Sequence, residues 1–182
     1  MSSTTAHKAF AVMAFLATLA FLAALLAGCA PIGNFYRPVV DEAVADGRPL
    51  VFFRADAVVV DHLGATSFIT TWVNTSPDTI RYLDVTAVPI NAVGDKVASE
   101  VGGHVAFTGR ATGPFPPVAG VERGVWPGAW YNGSIWCARL TRVRIEYGTR
   151  RTERVVTITD PDSLRALIAP AERRDWPEYS CT

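Results

Sequence analysis

Two hydrophobic rhythms divide the chain. The first is a nearly unbroken apolar run from about Ala9 to Ala27 that includes Phe15, Leu19, Phe21, Leu22, Leu25 and Leu26. The second, from Pro49 onward, alternates. Its clearest stretch is Ser134 to Tyr147, where Thr141, Val143, Ile145 and Tyr147 interleave with Arg142, Arg144 and Glu146. A period of two means one buried and one wet face, the pattern of a half-buried strand. Leu50-Val51-Phe52-Phe53, Ala57-Val58-Val59-Val60, Phe68 to Val73, Thr79 to Asn91, Lys96-Val97-Ala98, Val121 to Trp126 and Glu153 to Thr159 are further strand candidates.

The joints between these runs are turn-forming. Asp61-His62-Leu63-Gly64, Asn74-Thr75-Ser76-Pro77-Asp78, Asn91-Ala92-Val93-Gly94-Asp95, Pro127-Gly128 and Gly148-Thr149 hold residues that bond their own backbone or preset φ. Pro89 lacks a ladder donor, so the end of its strand is expected at an edge or a bulge. Residues 109–120, rich in glycine and proline, read as a long loop or a crossover between sheets. Asp160-Pro161-Asp162-Ser163 starts a short helix with one apolar edge (Leu164, Leu167, Ile168), and Pro170 ends it. About seven or eight strands with no helix between them predict an antiparallel β-sandwich rather than a parallel sheet. The expected division is 1–28 leader, 29–48 tether, 49–159 sandwich, and 160–182 short helix and tail.

The apolar run closes on Leu26-Ala27-Gly28-Cys29 behind a weakly basic start at Lys8. Small residues before a cut are what a signal peptidase requires. With Cys following at once, the segment resembles the lipobox of bacterial lipoproteins. The resemblance implies a cleaved signal peptide and a diacylglyceryl group on Cys29. The membrane, through that lipid, is then the first partner. Two or more acyl chains anchor stably, at ~0.8 kcal/mol per buried CH₂. Ala30 after the cysteine implies the outer membrane in a Gram-negative cell. The alternative is an uncleaved anchor, because the run approaches the ~20 residues that span a bilayer. Either reading places the domain outside the cytoplasm.

Trp72-Val73-Asn74-Thr75-Ser76, Thr79-Ile80-Arg81-Tyr82-Leu83-Asp84-Val85 and the turn at residues 91–95 resemble the immunoglobulin-like FxLYD-type domains of exported bacterial proteins. Trp130-Tyr131-Asn132 and residues 140–147 fit the same plan. The order Tyr82-Leu83-Asp84 departs from the motif that names the family. The resemblance, over about residues 50–147, implies an immunoglobulin-like sandwich with no catalytic residues to carry over.

Charge adds little: 17 basic and 17 acidic side chains balance, so no global field draws the chain to nucleic acid. Of the 3 cysteines, Cys137 and Cys181 remain once Cys29 carries lipid. They are expected either as a disulfide, which export favours, or as two free thiols. Trp126, Trp130, Tyr131 and Trp136 are the candidate ligand-binding rings, set against the alternative that they plug the end of the sandwich. The loop Pro114-Phe115-Pro116-Pro117 is expected near them. Arg139, Arg142, Arg144, Arg150, Arg151 and Arg154 are either a surface for lipid head groups or an acidic partner, or the solvated face of a hairpin. His62 and His104 lack ligand spacing, so no metal, cofactor or catalytic residue is expected. The expectation is a non-enzymatic binding or envelope-structural module that meets an envelope protein. A carbohydrate- or peptidoglycan-binding module and an enzyme with an unrecognised site are the alternatives.

Overall fold

The computed structural model describes residues 36–61, 64–149 and 152–169. Among them are two antiparallel sheets and two short helices. In chain order these are α1 (Arg37–Ala45), β1 (Leu50–Val59), β2 (Ala65–Asn74), β3 (Ile80–Asn91), β4 (Phe107–Phe115), β5 (Glu122–Tyr131), β6 (Ile135–Thr149), β7 (Thr152–Ile158) and α2 (Pro161–Ala166). The three-stranded sheet runs β1-β2-β5 and the four-stranded sheet β4-β3-β6-β7. The chain changes sheets after β2, β4 and β5. No helix among the described residues is long and apolar enough to cross a membrane. The apolar run before Cys29 lies outside the described residues.

The all-β expectation holds, and the alternation explains it. Phe52, Phe68 and Trp72 from one sheet meet Leu83, Val85, Val143 and Ile145 from the other in one core. Across the ladder Val85 pairs with Val143 and Leu83 with Ile145, so matching apolar positions stack on the same face. Burying each such side chain fully is worth ~1.5–3 kcal/mol.

Strand β1 is continuous where the sequence suggests two runs. Before a bulge between Phe52 and Arg54 it buries both faces, Leu50 and Phe52 inward and Val51 and Phe53 outward; past the bulge the phase shifts and Ala57 faces the inner core. Helix α1 covers that outer face through Val39, Val40 and Ala43, and Tyr36 packs on Phe53 at 4.3 Å between ring centres. Part of the expected tether is thus packed on the domain.

Two glycine- and proline-containing segments are strands rather than loops or turns. Residues 107–115 form β4, paired with β3 from Phe107↔Ala87 to Phe115↔Ile80. Pro127 and Gly128 sit in an irregularity of β5, between the pairs Phe68↔Trp126 and Thr66↔Trp130. Strand β5 is an edge, where a residue without N–H costs no ladder bond.

Helix α2 starts as its sequence predicts. The Asp160 carboxylate accepts from the Ser163 backbone N–H at 2.8 Å, and Leu164 and Leu167 enter the core. The chain then joins the edge of β1. Phe52 donates to the Leu167 carbonyl at 2.7 Å, and Ala169 donates to the Phe52 carbonyl at 2.8 Å.

Candidate functional site

The four aromatic candidates separate in the fold. Trp130 is wholly buried in the core, its indole N–H donating to the Val105 carbonyl at 3.2 Å. Its ring meets Phe68 and Phe107 edge-on at 5.8 and 5.7 Å. Trp126 is half-buried and stacks on Phe68 at 5.6 Å. Its indole lies over Gly109 of β4 and Gly124 of β5, where any Cβ would collide with the ring. Trp126 therefore bridges the β5 and β4 edges and closes the seam between the sheets. Tyr131 and Trp136 stay exposed, one at the end of β5 and one on β6, in different sheets. The rings do not form one platform. Phe115 turns inward, edge-on to Trp72 at 4.8 Å.

The polar concentration lies instead on the outer face of the four-stranded sheet. Residues alternating with the core set on β3 point outward there: Tyr82, Asp84 and Thr86. The register brings Arg110 of β4 and Arg144 of β6 to either side of Asp84. Arg110 grips the Asp84 carboxylate with two bonds of 2.6 and 2.9 Å, and Arg144 adds one at 3.3 Å. The Asp84 side chain is only 8% exposed, and these bonds, Arg110's first, hold its carboxyl below the usual carboxylate range. Arg144 also reaches Glu146 at 3.3 Å, and Arg81 pairs with Glu153 at 2.6 Å. One row down, the Thr86 and Thr108 hydroxyls share a bond of 2.9 Å. Such a ladder fixes the register of three strands and presents guanidinium edges to solvent.

Arg139 and Arg142 extend this face, because an irregularity around Thr141 returns both to the outside despite their odd spacing. Arg154 lies instead over the Tyr147 ring and pairs with Asp78 at 2.8 Å. Arg150 and Arg151 lie outside the described residues. The Asp84 ladder escaped the sequence reading because Arg110 sits in the segment read as loop. The signal was available in the polar positions Tyr82, Asp84 and Thr86 of an otherwise apolar strand.

Cys137 is buried on β6 beside Val88 and Ile90. Cys29, Cys181 and His62 lie outside the described residues. His104 bonds the Ala129 carbonyl at 2.9 Å through Nε2 and so ties a loop to β5. On the other sheet the Asp56 carboxylate, its pKa raised by burial, accepts from the Ala57 N–H at 2.7 Å. No cluster of metal-ligating side chains forms among the described residues. No family model matches the chain, and neither a curated protein nor a solved structure gives a significant match.

Proposed function

We propose that the chain is a lipid-anchored envelope lipoprotein whose exported part is a non-catalytic, immunoglobulin-like module that binds or braces another envelope component. The observation that carries the reading is Leu26-Ala27-Gly28-Cys29 at the end of the apolar run, followed by a β-sandwich. Strand order supports the immunoglobulin-like class. In that plan strands A, B and E face C, F and G. Here β1, β2 and β5 take the first set of positions and β3, β6 and β7 the second, with β4 beside β3 rather than beside β5. Removal of residues 1–28 takes Lys8 with it, leaving one more acidic than basic side chain. Such a near-neutral module suits a membrane held by acyl chains rather than by charge. We further propose that Cys137 pairs with Cys181, which leaves no odd thiol in an exported chain.

The carbohydrate-binding alternative needs coplanar exposed rings, and the burial of Trp130 and the inward stacking of Trp126 weigh against it. Intact mass of the membrane-extracted protein, beside a Cys29→Ser variant, tests the proposal. The expected result is a chain beginning at Cys29 with added acyl mass, absent from the variant. A chain that retains Met1 and carries no lipid overturns it, and makes residues 9–27 a spanning anchor.

A further inference from the structure

Three local anomalies converge where β4 leads into β5. The first is a carboxylate on the core side of the sandwich. Glu122 opposes Trp72 across the β2–β5 ladder, so its side chain shares the inner face with that ring. It is half-buried, and among the described residues nothing bonds it or pairs with it. Desolvation alone pushes its carboxyl above the usual carboxylate range. The second is beside it. Trp72 is 1% exposed, yet its indole N–H has no partner among the described residues, and neither has the hydroxyl of wholly buried Thr70 on the same face. Buried polar groups normally find one. The third is Val118, in the loop that joins β4 to β5. It holds φ at 49°, a region that β-branched residues avoid. Its N–H donates to the Asn74 carbonyl at 2.8 Å and its side chain packs on the cluster under α1, which together enforce the conformation. That loop starts after Phe115, edge-on to Trp72, and ends at Glu122. Each feature costs stability, and such costs gather where a fold has a use for them.

We propose that this end of the sheet seam binds a small organic cation, an ammonium compound that also carries a hydroxyl group. Amino alcohols and amino sugars share that chemistry. Glu122 is the counter-ion. The Trp72 indole N–H donates to the ligand's hydroxyl oxygen, and the Trp72 and Phe115 rings wall the cation, as aromatic rings do for ammonium groups. Directly opposed side chains on a ladder stand with Cβ atoms ~4.5–5.5 Å apart, within the span of one small molecule. Phe115 covers Trp72 in the closed state. Residues 116–121 are the flap that moves for entry, and release of Val118 from its left-handed backbone offsets part of that opening. The site needs neither the lipid anchor nor the arginine ladder, which lies on the outer face of the other sheet.

The test titrates ethanolamine and glucosamine into the full membrane-extracted chain, isotopically labelled for nuclear magnetic resonance, with glucose as the uncharged control. The signal read is the Trp72 indole N–H, assigned through Trp72→Phe. The expected result is a saturable shift in the millimolar range with one or both amines and none with glucose. Affinity should be at least about tenfold weaker in Glu122→Gln, for the loss of one charge-assisted bond. Saturation by ethanolamine alone assigns an amino alcohol, and by glucosamine alone an amino sugar. Melting temperature is the second readout. Without ligand, Glu122→Gln should melt no lower than the wild type, because its carboxylate is desolvated and unpaired. Ligand should raise the melting temperature of the wild type only. No saturation by either amine overturns the proposal, as does equal binding by Glu122→Gln or by glucose. A Glu122→Gln chain that melts lower overturns it as well, because the carboxylate then serves the fold.

Discussion

At the scale of single residues, two positions show how the fold uses chemistry that looks out of place. Gly109 stands mid-strand, where glycine normally weakens a sheet. Its missing side chain is the slot for Trp126. Gly109→Ala should force the indole off Phe68 and destabilise the domain by about 1–3 kcal/mol, the usual cost of overpacking. Thermal denaturation of Gly109→Ala, Trp126→Ala and the double variant checks it. The double should cost no more than Trp126→Ala alone, since the two sites share one contact. Asp84 is the second position. Its folded pKa is lowered, so its stabilisation is complete above the ordinary aspartate value and is lost as pH falls through the folded value. Asp84→Asn should therefore lower stability by about 1 kcal/mol at pH 7, a modest figure because Arg110 is 56% exposed. Urea melts of both proteins should begin to draw together as pH falls below about 3.8 and converge only once it has passed the lowered folded value. A difference that persists in acid would show that shape rather than charge carries the effect.

At the scale of elements, alternation made most strands legible. Residues 80–91 and 135–149 carry it over many positions, and both were read within two residues of their ends. Strand β4 was missed in part because Gly109 answers to a ring from another strand, a tertiary cause that leaves no local trace. The first half of β5 was legible as a strand, and its second half was not, because Pro127-Gly128 is turn chemistry absorbed by an edge irregularity. Exposed sheet edges invite pairing with other chains, and here two are closed by unrelated means. Trp126 closes the β4–β5 seam, and residues 167–169 lie along β1. That second cover depends on two backbone bonds to Phe52. Ala169→Pro removes the donor of one, and should cost about 1–3 kcal/mol by leaving the Phe52 carbonyl short of a partner. The expected accompaniment is faster light-scattering growth on heating. Stability lost without added aggregation would mean that the edge is guarded elsewhere.

At the scale of the whole molecule, the candidate site was the least legible part. Aromatic content pointed to a ring platform, yet a sequence does not say which rings a sheet turns inward. The polar face emerged only once register placed Arg110, Asp84 and Arg144 side by side. The same register determines how the domain should unfold. The outer cluster under α1 and the inner core are separate sets of side chains. They share strands, however: β1 gives Phe52 to one and Val51 to the other, and β2 gives Trp72 and Val73. Neither cluster can be exposed without disturbing a strand the other needs. Unfolding should therefore be a single transition. Val40, wholly buried under α1, is the place to test it. Val40→Ala should cost about 2 kcal/mol. Its urea midpoint should fall equally by far-ultraviolet circular dichroism and by tryptophan fluorescence, which reports Trp72 and Trp130 in the inner core. If the helix signal falls first while the fluorescence midpoint stays in place, α1 is a separate layer and the two faces of β1 are not coupled.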